Sequence, residues 1–250
     1  MQNERVFEIG SARNRVSAGQ LSQFDLVRDL PDVPVLSETL LLMELMIRQR
    51  TVDLGEISKL VLGDLGAALQ ILRVAGGEVC SIEGLPTRIE DCISNLGLQV
   101  CLDAMSRRTM RGSSRHPEMI EAWTHARLVA EECRHLAYEG RCPVNPEEAY
   151  LVGLLHELGS LPAMLGWDRT MQRVGSPDMI GLRMAQAWSL PRCVAEYFAP
   201  LRSISGVNPW REVVQQAHKN LNISLVESIP QELTIRQKHT MGALAHAFSS

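Results

Sequence analysis

The side chains best suited to chemistry in this sequence are histidines on helix-forming stretches. His125 and His135 lie in AWTHARLVAEECRHLA, His156 stands beside Glu157 in LVGLLHELGSLP, and His218 lies in VVQQAHKNLN. An imidazole can act as a general base, a proton shuttle or a metal ligand, and an adjacent carboxylate adds an oxygen donor of the kind that helps hold a divalent ion and its nucleophilic water. A zinc-peptidase helix is excluded, because the second histidine of HExxH would fall at Ser160. GxSxG, GxxxxGKS/T and a GxGxxG turn after a strand are also missing from the sequence, which removes serine hydrolases, nucleotide triphosphatases and dinucleotide enzymes. Two or three of the histidines could converge if antiparallel helices of a bundle face one another. In the plainer reading each is a packed, hydrogen-bonded core residue. His156 and Glu157 then finish a helix with a buried Leu151, Leu154, Leu155 and Leu158 face, Gly159 supplies a left-handed C-cap, and His156 sits favourably in the helix dipole.

Helices must do the positioning. Asn145-Pro146, Ser176-Pro177 and Asn208-Pro209 each place a side-chain acceptor before a proline at the first helical position. Thr87 with Glu90 makes a capping-box pattern, and Asp53 with Glu56 a close variant. Apolar residues recur at helical spacing in Leu36, Leu40, Met43, Met46 and Ile47, and again in Leu65, Ala68, Leu69 and Leu72. The expected fold is all-α, a compact multi-helix domain with an amino-terminal helical lobe. Helices are expected near 21–28, 34–49, 53–62, 65–76, 87–106, 117–138, 146–158, 177–188, 191–198 and 209–221, with a last one from Pro230 onward.

Composition narrows the function classes. The 250 residues carry 45% hydrophobic side chains, enough for a real core. A formal charge of -4 gives no general attraction to nucleic acid, and 4% aromatics leaves little for base stacking. Arg107, Arg108, Arg111 and Arg115 crowd one glycine- and serine-containing connection and are candidate phosphate contacts, although such runs are commonly solvated linkers. No stretch reaches the roughly 18 to 20 apolar residues of a membrane span, and the amino terminus does not resemble a secretion signal. A cytoplasmic protein with six reduced, packed cysteines is expected, at Cys80, Cys92, Cys101, Cys133, Cys142 and Cys193.

The order of the pieces suggests a family. Leu30, Pro31 and Pro34 resemble a Leu-Pro-x-x-Pro opening, and Asp64 with Leu69 to Ala75 resembles a D-P-x-L turn followed by L-R-x-A-N. Ile93, Leu96 and Gly97 resemble an A-I-x-x-L-G helix, and WSLP from Trp188 resembles W-G-L-P. Together these look like the HDOD family, the HD-related output domains of bacterial signalling proteins, over residues 25 to 221. The wider HD superfamily hydrolyses phosphoesters with an H…HD…D metal site. Against that pattern His125 and His156 stand for the histidines, Glu157 replaces the aspartate, and His218 falls near the last position among residues that include no aspartate. Further histidines of active members meet Pro177 and the Tyr197-Phe198 pair. Leu65 replaces a usual proline, and Gly76 a usual asparagine.

Beyond the flexible segment at 1–18 and the docked carboxyl-terminal helix in 223–250 that the chain itself suggests, the resemblance implies an HDOD-like domain over 19–222 with lobes at about 19–110 and about 116–222. It implies a non-catalytic regulatory domain in signal transduction that works by binding a protein partner or a small ligand. His125, His156, Glu157 and His218 are the candidate ligand-binding positions. No cofactor and no metal are expected; a metal, were one held, would fall to His125, His156 and Glu157. A residual metal-dependent phosphohydrolase acting on a nucleotide or cyclic dinucleotide is the alternative. A non-hydrolytic second-messenger module using the arginines is another. A signalling protein partner is expected, a nucleotide ligand and a homodimer are open, and nucleic acid and membrane are not expected partners.

Overall fold

The computed structural model describes residues 30, 32–48, 52–78, 87–107, 116–167, 175–200 and 208–227. The amino-terminal lobe contains α1 (Ser37–Ile47), α2 (Leu54–Leu62), α3 (Leu65–Glu78), α4 (Ile89–Leu96) and α5 (Leu98–Ser106). The second lobe contains α6 (His116–Tyr138), α7 (Pro146–Leu155), a 3-10 turn (Leu158–Ser160), α8 (Leu161–Met164), α9 (Pro177–Ala187), α10 (Arg192–Phe198) and α11 (Pro209–Glu227). Among the described residues there is no β-strand, as the all-α expectation requires. The expected helices near 21–28 and from Pro230, the 1–18 segment, Cys80 and the arginines at 108, 111 and 115 lie outside the described residues.

Helix starts follow the capping residues. Asn145 accepts from the backbone N–H groups of Glu147 and Glu148, Asp53 from Gly55 and Glu56, Ser176 from Met179, and Asn208 from Trp210 and Arg211. The Thr87–Glu90 box is a correction: the helix starts at Ile89 with Arg88 as its N-cap, and Glu90 pairs with the Arg88 guanidinium at 3.0 Å. The single expected helix over 87–106 is also corrected. It breaks at Gly97, whose φ of 81° ends α4 and turns the chain into α5. α11 runs to Glu227, beyond the expected end at 221.

Burial explains the layout. α3 is the pivot of the first lobe, with Ala67, Ala68, Leu69, Ile71 and Leu72 wholly buried. α7 is buried on every side from Ala149 to Leu155, so it reads as a continuous apolar run and not as an amphipathic stripe. α6 and α11 cover it. The lobes meet where the Trp123 indole N–H of α6 donates to Asp64 at 3.0 Å, and where the Tyr150 hydroxyl of α7 donates to the Leu62 carbonyl at 3.1 Å. A third junction stacks the Arg73 guanidinium over the Trp188 ring, 4.2 Å from its centroid, while Arg73 also pairs with Asp32.

Two departures from the family pattern are neighbours at that junction. Ser189, where WSLP replaces W-G-L-P, has φ 49°, a left-handed conformation that favours glycine. A Cβ on Gly76 would stand 2.6 Å from the Ser189 carbonyl oxygen and 3.0 Å from the Ser189 Cβ. Gly76 leaves the room that Ser189 and its backbone occupy. Ser189→Gly is expected to stabilise the protein by about 0.5–1 kcal/mol, the relief of the left-handed conformation less the extra entropy of an unfolded glycine. Thermal unfolding should show a rise of about 2 °C; a fall would mean that the Ser189 side chain is itself a useful contact.

Candidate functional site

Three helices converge on the histidines. His125 projects from the middle of α6, His156 is the C-cap of α7, and His218 lies in α11. α11 is placed by its amino-terminal turn. The Asn208 amide donates to the Glu196 carbonyl, the Trp210 indole N–H to the Glu196 carboxylate at 3.1 Å, and Arg211 to both the Tyr197 carbonyl and the Asp178 carboxylate. Farther along, the Asn220 amide donates to Glu132 of α6 at 2.6 Å. These bonds lay the His218 face of α11 against α6 and α7.

The three rings form a closed triangle. Their centroids are 5.4 Å apart for His125 and His156, 5.2 Å for His125 and His218, and 5.0 Å for His156 and His218. One potential ligand nitrogen from each lies within 4.8 Å of the others. His156 is the best defined. It is only 8% exposed, and its Nδ1 lies 2.7 Å from the Gly153 carbonyl oxygen. A carbonyl can only accept, so Nδ1 carries the proton and Nε2 presents a lone pair. That Nε2 is buried and has no hydrogen-bond partner among the described residues.

Electrostatics keep two of these imidazoles neutral. Burial pushes His156 down to about 4, against the pull of its Gly153 bond and with a further push from His125. Burial, then His156 and His125, push His218 to about 4 as well, while Glu157 opposes. The expected favourable dipole placement of His156 is therefore corrected, since a neutral ring in a dry site has no charge to offer the helix end. Gly159 is corrected too. It does not have a positive φ, so it is not a left-handed cap. A Cβ there would stand 1.9 Å from the Pro177 carbonyl oxygen, and the glycine exists to let the start of α9 lie against the 3-10 turn.

Glu157, expected beside His156 as the altered acid, is half-buried and outside the histidine triangle, where its charge favours a proton on His218 and on the Tyr197 hydroxyl. His135 is exposed and pairs with Glu139 at 3.2 Å. Arg107 is exposed at the end of α5. Pro177 opens α9 against Gly159, and the Tyr197 and Phe198 rings pack edge-to-face at 4.8 Å. The described cysteines form no disulfide, and burial pushes Cys92, Cys133 and Cys193 up to about 12 and Cys101 to about 11, which suits inert packing thiols.

A polar site that the motif reading named without assigning it a role is Asp64. It is fully buried and accepts from the backbone N–H groups of Leu36, Gly66 and Ala67, from the Thr39 hydroxyl and from Trp123. The signal was present: an aspartate directly before an apolar helix is an N-cap.

The family model described as the HDOD domain matches residues 33–177. The match includes His125, His156 and Glu157 and ends before His218. No curated protein matches the chain. Two crystal structures of the MmoQ response regulator from Methylococcus capsulatus are similar in fold. One has a TM-score of 0.58 at 16% identity, covering 81% of this chain and 88% of that one; the other has a TM-score of 0.58 at 17% identity, covering 80% and 90%. No single helix among the described residues is long and apolar enough to cross a membrane.

Proposed function

The chain belongs to the HDOD domain family, and from that premise we propose that it is a regulatory domain that binds a protein partner or a small ligand and does not hydrolyse phosphoesters. The observation that carries this reading is the composition of the histidine triangle. An HD phosphohydrolase holds a hard divalent ion with histidine and carboxylate ligands, and the carboxylate supplies charge as well as a coordination point. Here the carboxylate beside His156 in the sequence, Glu157, stands outside the cluster, and the last position of the pattern carries a third imidazole. The residues therefore do not fit the superfamily's metal.

The surroundings support the same reading. Positions where active relatives carry further histidines are spent on packing, Pro177 against Gly159 and Tyr197 against Phe198. A phosphodiester substrate would also need cations to neutralise it. The charged groups that hold α11 in place are instead committed to one another, Arg211 to Asp178 and Arg192 to Glu196.

The test is turnover of cyclic dinucleotides and a chromogenic phosphodiester by the purified chain with millimolar manganese or magnesium. The expected rate equals that of the metal alone. A rate proportional to protein concentration and abolished in His156→Ala would sink the non-hydrolytic reading.

A further inference from the structure

We propose that His125, His156 and His218 form a three-imidazole binding site for a borderline divalent transition metal, with zinc as the probe, clamping α11 onto α6 and α7. The site deepens the non-hydrolytic reading and rests on it only in treating the cluster as a place that holds an ion without turning over a phosphoester.

A buried Nε2 with no hydrogen-bond partner costs on the order of 1–3 kcal/mol, and two further imidazoles crowd the same spot. Apolar side chains would fill such a position more cheaply. The Nδ1 of His156 donates to the Gly153 carbonyl, the outer hydrogen bond that fixes the tautomer and ring orientation of a metal-bound histidine. The ligand nitrogen Nε2 thus lies on the ring edge opposite that bond, with its lone pair unpaired.

The rings stand a side-chain rotation away from what the ion requires. Zinc–imidazole bonds of about 2.1 Å in a tetrahedron place ligand nitrogens about 3.4 Å apart. The three candidate nitrogens lie within 4.8 Å of one another, so closure needs rotation of the half-buried His125 and His218 rings toward the fixed His156. Donor chemistry selects the metal. Three nitrogens without a carboxylate suit zinc and its neighbours in the transition series and disfavour magnesium and calcium, which prefer oxygen. The fourth position would remain for water.

His218 completes this ligand set. It lies beyond the residues that the family model matches, and it reaches the site because α11 is tied to α10 and α6 by Trp210, Arg211 and Asn220. Sequence reasoning placed Glu157 third; the structure places His218 there.

The full chain, stripped with chelator and dialysed against zinc, should retain about one ion per molecule by elemental analysis and gain thermal stability. Cobalt(II) in its place should give the intense visible absorption of a four-coordinate nitrogen site. Because His156→Ala could fail to fold, the deciding variant is His218→Ala, at a half-buried position, with circular dichroism to verify its helix content. It should bind zinc on the order of a hundredfold more weakly, while His135→Ala, outside the cluster, should bind as the native chain does. Absence of stoichiometric zinc, or equal affinity in His218→Ala, overturns the site and leaves the non-hydrolytic reading standing. Zinc binding accompanied by phosphodiester turnover that is lost in His218→Ala supports the site and overturns that reading.

Discussion

Replacing Asp64 by alanine is expected to remove about 4 kcal/mol of stability, a large part of the roughly 5–15 kcal/mol that holds a typical domain folded. Besides the Thr39 hydroxyl, which can rotate to another acceptor, three losses coincide. The Gly66 and Ala67 N–H groups lose the N-cap of α3, a contribution of about 1–2 kcal/mol. The Leu36 N–H, 2.8 Å from the carboxylate, and the Trp123 indole N–H, at 3.0 Å, are left without an acceptor in the interior, at about 1–3 kcal/mol each. One gain offsets them in part. The donors on Asp64 are all uncharged, and burial raises its carboxyl above the ordinary range, so the native protein bears a desolvation cost that alanine lacks.

Asp64→Asn separates these contributions. One carboxylate oxygen accepts from Leu36, while the other serves Gly66, Ala67 and Trp123. An amide can keep only one of those two roles, because its NH2 would face a donor. The expected loss is about 2 kcal/mol, with the oxygen turned to the α3 cap and Leu36 unsatisfied. Urea unfolding followed by tryptophan fluorescence measures both variants. A loss below about 1 kcal/mol for Asp64→Ala would mean that the carboxylate's desolvation cost cancels its bonds, and that Asp64 is not what secures the α3 start and the contact to Trp123.

The contrast between Asp64 and the histidines explains what could be read in advance. Helix starts at Asp53, Asn145, Ser176 and Asn208 depend on a side chain and a backbone N–H two or three residues away, so local chemistry was sufficient. The break at Gly97 was missed because helix-forming residues continue on both sides, and only the backbone conformation separates them. Gly159 was misread as a local cap because its partner, the Pro177 carbonyl, belongs to the next helix. The histidine triangle was legible as a set of candidates and not as a site. Its third member depends on the Asn220–Glu132 bond, which spans 88 positions, and on the turn that seats Trp210 against Glu196. Periodicity finds a helix face, but tertiary contacts choose what it meets.

Acidification should destabilise the metal-free protein between pH 6.5 and 4, and His156 supplies the largest share. Its folded value is about 4 against an ordinary 6.5, so the unfolded chain takes up the proton first. Stability is fully present above about pH 6.5 and falls as the pH drops, until both states are protonated below about 4. A difference of 2.5 pH units corresponds to on the order of 3 kcal/mol. His218 shifts in the same direction for the same reason, but it is partly solvated and coupled to His156, so the two losses do not simply add. The groups facing them act in opposite directions: His125 disfavours a proton on either ring, and Glu157 favours one on His218. Asp64 acts against the trend at the acid end, since a raised folded carboxyl binds its proton before the unfolded chain does. Urea unfolding in chelator at intervals from pH 7.5 to 4.5 should therefore show a steep decline in the native chain. In His156→Leu, which keeps the volume and removes the titrating group, at least half of that decline should disappear. Superimposable profiles for the two proteins would show that protonation of His156 is not what limits stability in acid.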